Sequence, residues 1–281
     1  LIVPWILNHF GWHEVFWITG GVGFIWLILW LIFYDLPSKQ KRLSSEEHNL
    51  IISGQESGEE MNTVKSAIKW SKLFSFPQTW ALIAGKGLID PIFWFFLFWL
   101  PSYFASAFEL DLSRPSLELM IIYTATTFGS IGGGYFSSYL IKKGWTTMKA
   151  RKTALFIFAI LELSIMLAQF ATAAWMAVAI ISLAVAVHQA WATNVFTTAS
   201  DMFPKEAVSS VTGIAGMAGA IGGMFFPLLV GYILDSYKAA GNLTGGYNLI
   251  FIICGFTYIT TWAIIHLLTK KHPIVKLSEL Q

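Results

Sequence analysis

The sequence predicts an all-α protein of the membrane, and three observations lead there. Of its 281 residues, 56% are hydrophobic and only 12% are charged, whereas a soluble domain carries about one quarter charged residues. The apolar residues are gathered into runs of about 20, the length that carries a helix across the hydrocarbon core. Alternating segments of about ten residues, the mark of a membrane barrel, do not occur. Helices that satisfy their own backbone groups are therefore the expected spanning units.

Taken in order, the opening "LIVPWILNHF" has no basic n-region and no small-residue cleavage site, so it reads as the end of an earlier span rather than as a signal peptide. Seven complete spans are expected after it, at 13–34, 79–105, 117–141, 152–171, 174–199, 208–234 and 247–269. The connection between the first two is polar and Ser-rich. In it Ser44 or Ser45 is placed to cap a short helix through Glu47 and Leu50, the hydroxyl accepting free N–H groups of the first turn. This spacing divides the chain into the end of an N-terminal helix bundle (1–34), a cytoplasmic interdomain linker (35–78) and a C-terminal six-helix bundle with a cytoplasmic tail (79–281). A stub, one span, a long linker and six spans form the pattern of a twelve-helix carrier whose N-terminal third is expected to precede Leu1.

Charge gives the orientation. The connections 35–78, 142–151, 200–207 and 270–281 fall on one side if the helices alternate. They hold nearly all the Lys and Arg, among them Lys41, Arg42, Lys65, Lys69, Lys142, Lys143, Lys149, Arg151, Lys270 and Lys271, against Arg114 and Lys238 opposite. The basic side is the cytoplasmic one, and the C-terminus lies there. Asn242, in an N-x-T sequon, then sits in an outer loop. A net charge of +2 without a basic, aromatic-interleaved stretch excludes a nucleic-acid partner. The single cysteine, Cys254, allows no disulfide framework and no metal site of the cysteine type. No cofactor is expected.

Two polar stretches interrupt the apolar spans. In "HQAWATNVFTTASDMFP" (188–204), at 100° per residue, Trp191, Asn194 and Thr198 share one narrow face, His188 lies one step around, and Gln189 points elsewhere. That face offers an indole surface beside amide and hydroxyl groups, which suits a sugar acid: its C–H faces stack on the ring and its hydroxyls exchange hydrogen bonds. The alternative is that Asn194, Thr197 and Thr198 tie neighbouring helices together. His188 could titrate near neutral pH, although no partner is visible in the sequence. In "GKGLIDPIFW" (85–94), Lys86 and Asp90 are i and i+4, close enough to pair. Pro91 interrupts the backbone ladder just after them, and Trp94 extends the same face by one turn. Ionisable groups inside a span are costly and face a cavity or one another, so a functional role is the default. The alternative is a Lys86 that snorkels to the cytoplasm with Asp90 as its structural partner. The substrate-binding candidates are thus Trp191, Asn194, Trp94, Asp90, Lys86, His188 and Thr198.

Glycines at 129, 132–134, 213, 216, 219, 222 and 223 recur at the small-residue spacing that lets helices approach closely. "GSIGGG" follows no strand and precedes no suitably spaced acidic residue, so it is not a dinucleotide fingerprint. Pro227 is expected to kink its helix. Glu162, in "AILELSIM", has no assigned role and is not taken as a proton site.

Three longer stretches resemble a known family. "GGGYFSSYLIKKGWTTMKARK" (132–152) resembles the loop after the eighth helix of major facilitator transporters. "IDPIFWFFLFWLPSYF" (89–104) is similar to the seventh helix of their anion:cation symporter family, and "AVHQAWATNVFTTASDMFPKEAVSSVTGIAGMAGAIGGMFFPLLVG" (186–231) to its tenth and eleventh. Within that family the chain resembles the bacterial hexuronate transporters. The resemblance implies a partial major facilitator fold in a multi-pass protein of the bacterial inner membrane, and symport of glucuronate or galacturonate with a proton as the coupling ion. It also implies that helices one to four and most of five are missing, with the Arg that meets the substrate carboxylate and the acidic groups that bind the proton. The implied partners are a small organic anion, the lipid bilayer and those N-terminal helices of the same carrier. Many members carry an acidic residue where this chain has Ser138, in a loop motif that latches the inward gate.

The leading expectation is a secondary transporter that rocks two bundles about a midplane site. Its alternatives are a carrier of a related sugar acid such as galactonate or glucarate, and a truncated fragment that does not transport. An intramembrane enzyme built on His188 and Asp90 ranks last, because a second acidic pair, H-E-x-x-H and G-x-S-x-G are all lacking. The chain is not expected to be an enzyme, and without a P-loop it is not expected to pump with ATP.

Overall fold

The fold, taken from a computed structural model, is described for residues 2–36, 39–40, 43–53, 70–111, 116–270, 274–276 and 279. Lys41, Arg42, Lys65, Lys69, Arg114 and Lys271, and with them much of the expected linker, lie outside the described residues. The chain divides into two compact units: one holds the described residues up to Ser53, the other those from Trp70 onward.

In the first unit α1 (Ile2–His9) turns into α2 (Trp12–Phe33) at Gly11. There φ is +115°, a region open to glycine and costly for other residues. α2 has 22 residues with only Glu14 charged. α3 (Ser45–Ser53) starts where the sequence places it, with the Ser44 Oγ accepting the Glu47 N–H at 3.1 Å.

The second unit begins with α4 (Trp70–Leu73), α5 (Pro77–Gly87), α6 (Asp90–Phe98) and α7 (Leu100–Phe108). The span expected at 79–105 is thus three helical segments. Pro91 and Pro101 each remove one donor from the backbone ladder, and the joints fall beside them at Leu88–Ile89 and Trp99. α8 (Leu117–Lys142) and α9 (Thr147–Glu162) follow, α9 continuing as 3₁₀ turns over Leu163–Phe170. α10 (Ala174–Met202), α11 (Lys205–Ala239) and α12 (Leu243–Leu268) complete the bundle. The sequon residue Asn242 caps α12, its Oδ1 accepting the Gly245 N–H at 3.0 Å.

Six helices among the described residues are long and apolar enough to cross a membrane, not the seven expected: Trp12–Phe33, Pro77–Phe98, Thr147–Phe170, Ala174–Met202, Lys205–Ala239 and Leu243–Leu268. The difference is α8. At 26 residues it is long enough, but Glu118, Lys142 and its many Thr, Ser and Gly residues lower its hydropathy. Those small residues serve proximity instead. A Cβ on Gly129 would run into the Ala186 backbone, and one on Gly133 into Ala190, so α8 lies directly on α10. α11 uses the same device against α5 and α6, where Gly219 faces Asp90, Gly222 faces Gly87 and Pro91, and Gly223 faces Trp94. Apolar burial drives little association in lipid, so such close van der Waals contact is what holds helices together. Pro227 lies inside an α11 that continues unbroken from Lys205 to Ala239.

Candidate functional site

Lys86 is on the last turn of α5 and Asp90 opens α6, so the joint at Leu88–Ile89 runs between them. Their ammonium and carboxylate meet at 2.7 Å; the pairing read from the spacing is present. The Lys86 Nζ also lies 4.0 Å from the centroid of the Phe196 ring, a favourable place for a cation. The cavity beside it, lined by Leu82, Val195, Phe196 and Ala215 among others, holds about 10 Å³. That is room for a water molecule and no more. Trp94, one turn beyond Asp90, is 37% exposed, stacked on Phe98 at 5.6 Å and packed against Gly223.

The other predicted residues do share a face of α10, and that face is turned into the bundle. Trp191 and Asn194 are completely buried, His188 and Thr198 nearly so. The Trp191 Nε1 donates to the Gly85 carbonyl at 3.3 Å, just before Lys86, and the ring meets Tyr258 edge-on at 5.4 Å. The Asn194 Nδ2 donates to the carbonyls of Gly133 and Ala190, both at 2.9 Å. The Thr198 Oγ1 donates to the Asn194 carbonyl at 2.6 Å. His188 shares a 2.6 Å hydrogen bond between its Nδ1 and the Tyr258 hydroxyl and stacks on Phe93 at 5.1 Å. Trp191 thus braces the backbone that carries Lys86, while Asn194 fastens α8 to α10.

Several participants were not foreseen from the sequence. Tyr258, the partner of His188, is 70 residues away on α12 and has no local signal. Arg151, read only as one of the basic loop residues, donates from Nε to Asp201 at 2.8 Å and from Nη1 to the Ser137 Oγ at 2.6 Å. Its Nη1 also reaches the Asn194 Oδ1 at 3.4 Å. The lone acid in the last turn of α10 was the available clue. Ser138, singled out as the departure from the family's acidic position, is next to the serine that Arg151 uses. The carboxylate that pairs with this arginine is that of Asp201.

The Major Facilitator Superfamily model matches residues 1–227. Among curated proteins, the chain is similar to the hexuronate transporter of Escherichia coli (strain K12), 24% identical over 279 residues, 99% of this chain and 62% of the relative. It is 27% identical over 249 residues to the D-galactonate transporter of Escherichia coli O6:H1, covering 86% of this chain and 57% of that one. Over 270 residues it is 27% identical to the protein named "Probable galactarate/D-glucarate transporter GarP" of Escherichia coli (strain K12), at 90% and 59% coverage. The chain therefore spans about 60% of the length of these relatives.

Proposed function

Because the chain belongs to the Major Facilitator Superfamily, we propose that it forms part of a secondary carrier for a sugar acid, in the first place a hexuronate, moved together with a proton. The names of the relatives support this reading, since hexuronate, galactonate, galactarate and glucarate are all polyhydroxy carboxylates. The observation that carries it here is the Lys86–Asp90 pair set across a helix joint beside the half-open face of Trp94.

In this reading the sugar stacks on Trp94, and its carboxylate competes with Asp90 for the ammonium of Lys86. Trp191 and His188 form the wall behind and act through the backbone and rings they hold, Asn194 ties α10 to α8 through the Gly133 carbonyl, and Thr198 bonds back to the Asn194 carbonyl. One ammonium serving two carboxylates is a weak hold on an anion, so further cations belong to the complete site, which the proposal assigns to N-terminal helices of the same carrier. The bacterial inner membrane as location and the cytoplasm as the side of the C-terminus belong to the same proposal, the latter resting on the distribution of Lys and Arg. Galactonate or glucarate as substrate is the second reading, favoured by the relatives that bear those names. A non-transporting fragment is the third.

The test is uptake of labelled glucuronate by proteoliposomes carrying the full-length gene product under an imposed proton gradient. Accumulation that a protonophore abolishes, and that unlabelled glucuronate suppresses at lower concentration than galactonate or glucarate, is the expected result. Accumulation that survives the protonophore removes proton coupling, the reverse order of competitors moves the substrate to an aldonate or aldarate, and the absence of any uptake leaves the third reading.

A further inference from the structure

At the basic end of the bundle, α9 and α12 enclose a cavity of about 420 Å³ that the transport reading does not use. Its lining combines Lys149, Lys152 and Lys270 with Phe156, Trp262 and His266. The spacing explains the convergence: Lys149, Lys152 and Phe156 recur on one face of α9, and Trp262 and His266 are four apart on the last turns of α12, with Lys270 four further on, just past its end. Two bonds fix the helices to each other there, from the Lys152 Nζ to the Thr269 carbonyl and from the Trp262 Nε1 to the Lys152 carbonyl, both 3.0 Å. The floor is aromatic, with Phe156 and Trp262 at 4.5 Å and Trp262 stacked on His266 at 5.1 Å. No carboxylate is among the residues that line this cavity, while the neighbouring Arg151 is matched by Asp201. The His266 Nδ1 is buried without a hydrogen-bond partner.

The position along the helices is as telling as the charge. Lys149 is in the first turn of α9 and Lys270 is two residues past the end of α12, which puts the ammoniums at the helix ends, where a spanning bundle meets the headgroups. Phe156 and Ile160 lie one and two turns deeper and are 39% and 45% exposed, at the level of the acyl chains. We propose that this cavity is a binding site for an anionic phospholipid, its phosphate held by Lys149, Lys152 and Lys270 and its acyl chains laid along Phe156 and Ile160. A lone soluble anion would use the lysines but not the apolar track above them, whereas a phospholipid matches both.

The experiment titrates the purified chain in detergent with phosphatidylglycerol and quantifies retained lipid by native mass spectrometry. Phosphatidylcholine and inorganic phosphate are run as parallel arms. Retention of phosphatidylglycerol over phosphatidylcholine is expected, lowered about fivefold by Lys149→Gln or Lys270→Gln alone and on the order of 100-fold by the triple glutamine variant with Lys152→Gln. Replacing all three by Arg should restore it. Should the triple variant not remain monodisperse, the two exposed single variants decide alone. Equal retention of both lipids, retention unchanged in the single variants, or displacement of the lipid by millimolar inorganic phosphate would overturn the proposal.

Discussion

Asp90 holds the ammonium of Lys86 at 2.7 Å across the joint between two helical segments, so one ion pair bridges the place where the backbone ladder is interrupted. Removing one partner leaves a charge without compensation at membrane depth, and breaking a buried pair costs about 3 kcal/mol or more. Asp90→Asn alone is therefore expected to lower the melting temperature and the uptake rate further than Asp90→Asn combined with Lys86→Gln. A double-mutant cycle on thermal unfolding checks this, and strictly additive effects would contradict the coupling.

Adjacent glycines of α8 should respond in opposite ways. Gly132 has nothing within 4 Å of the place a Cβ would occupy, whereas at Gly133 a Cβ meets the Ala190 backbone. Gly132→Ala should be neutral or raise stability by up to about 1 kcal/mol through the unfolded chain. Gly133→Ala should lower it by about 1–3 kcal/mol through overpacking. Melting of the two variants in the same detergent compares them directly, and equal behaviour would mean that α8 does not touch α10 there.

The guanidinium of Arg151 gathers Asp201, Ser137 and Asn194 from two other helices. Arg151→Gln is expected to destabilise by several times as much as Lys149→Gln, although both residues belong to the same basic stretch, because only the former strands a partner carboxylate. Restoring the pair in reverse, Arg151→Asp with Asp201→Arg, should recover part of the loss. No recovery, together with equal losses for Arg151→Gln and Lys149→Gln, would reduce the pair to a surface contact.

Trp94 and Trp191 are separable by what they change. If its exposed face stacks the sugar as proposed, Trp94→Ala should raise the substrate concentration for half-maximal uptake by about fivefold to tenfold with little effect on melting. Trp191→Ala should chiefly lower stability, by about 3–5 kcal/mol for a fully buried indole. Uptake kinetics beside melting curves in the full-length product decide it, and unchanged uptake for Trp94→Ala would take that residue out of the site.

The helices were legible because membrane spans need long apolar runs, and the Ser44 cap and the Lys86–Asp90 pair because both act within four residues. α8 is where spacing and hydropathy part: the helix expected at 117–141 is present, but its glycines and hydroxyls serve a neighbouring helix, which hydropathy reads as polarity. The face of Trp191, Asn194 and Thr198 was correctly grouped, since angular spacing is local. Whether that face met a cavity or another helix depended on Gly85 and Gly133, which are 106 and 61 residues away from their partners. Tyr258 was hidden for the same reason: a single polar residue on a distant helix has no periodicity to announce it.

Over Leu163–Phe170, eight residues, the backbone winds as 3₁₀ rather than α, and each such residue advances about 2.0 Å instead of 1.5 Å. The span Thr147–Phe170 thereby gains about 4 Å of reach without an added residue, a difference comparable to that between thin and thick biological membranes. In short-chain lipid vesicles, where a thinner hydrocarbon layer rewards the shorter α form with its better-aligned hydrogen bonds, slower amide exchange over Leu163–Phe170 than in long-chain vesicles is the expected sign of rewinding, and identical exchange in both would show the winding to be indifferent to thickness.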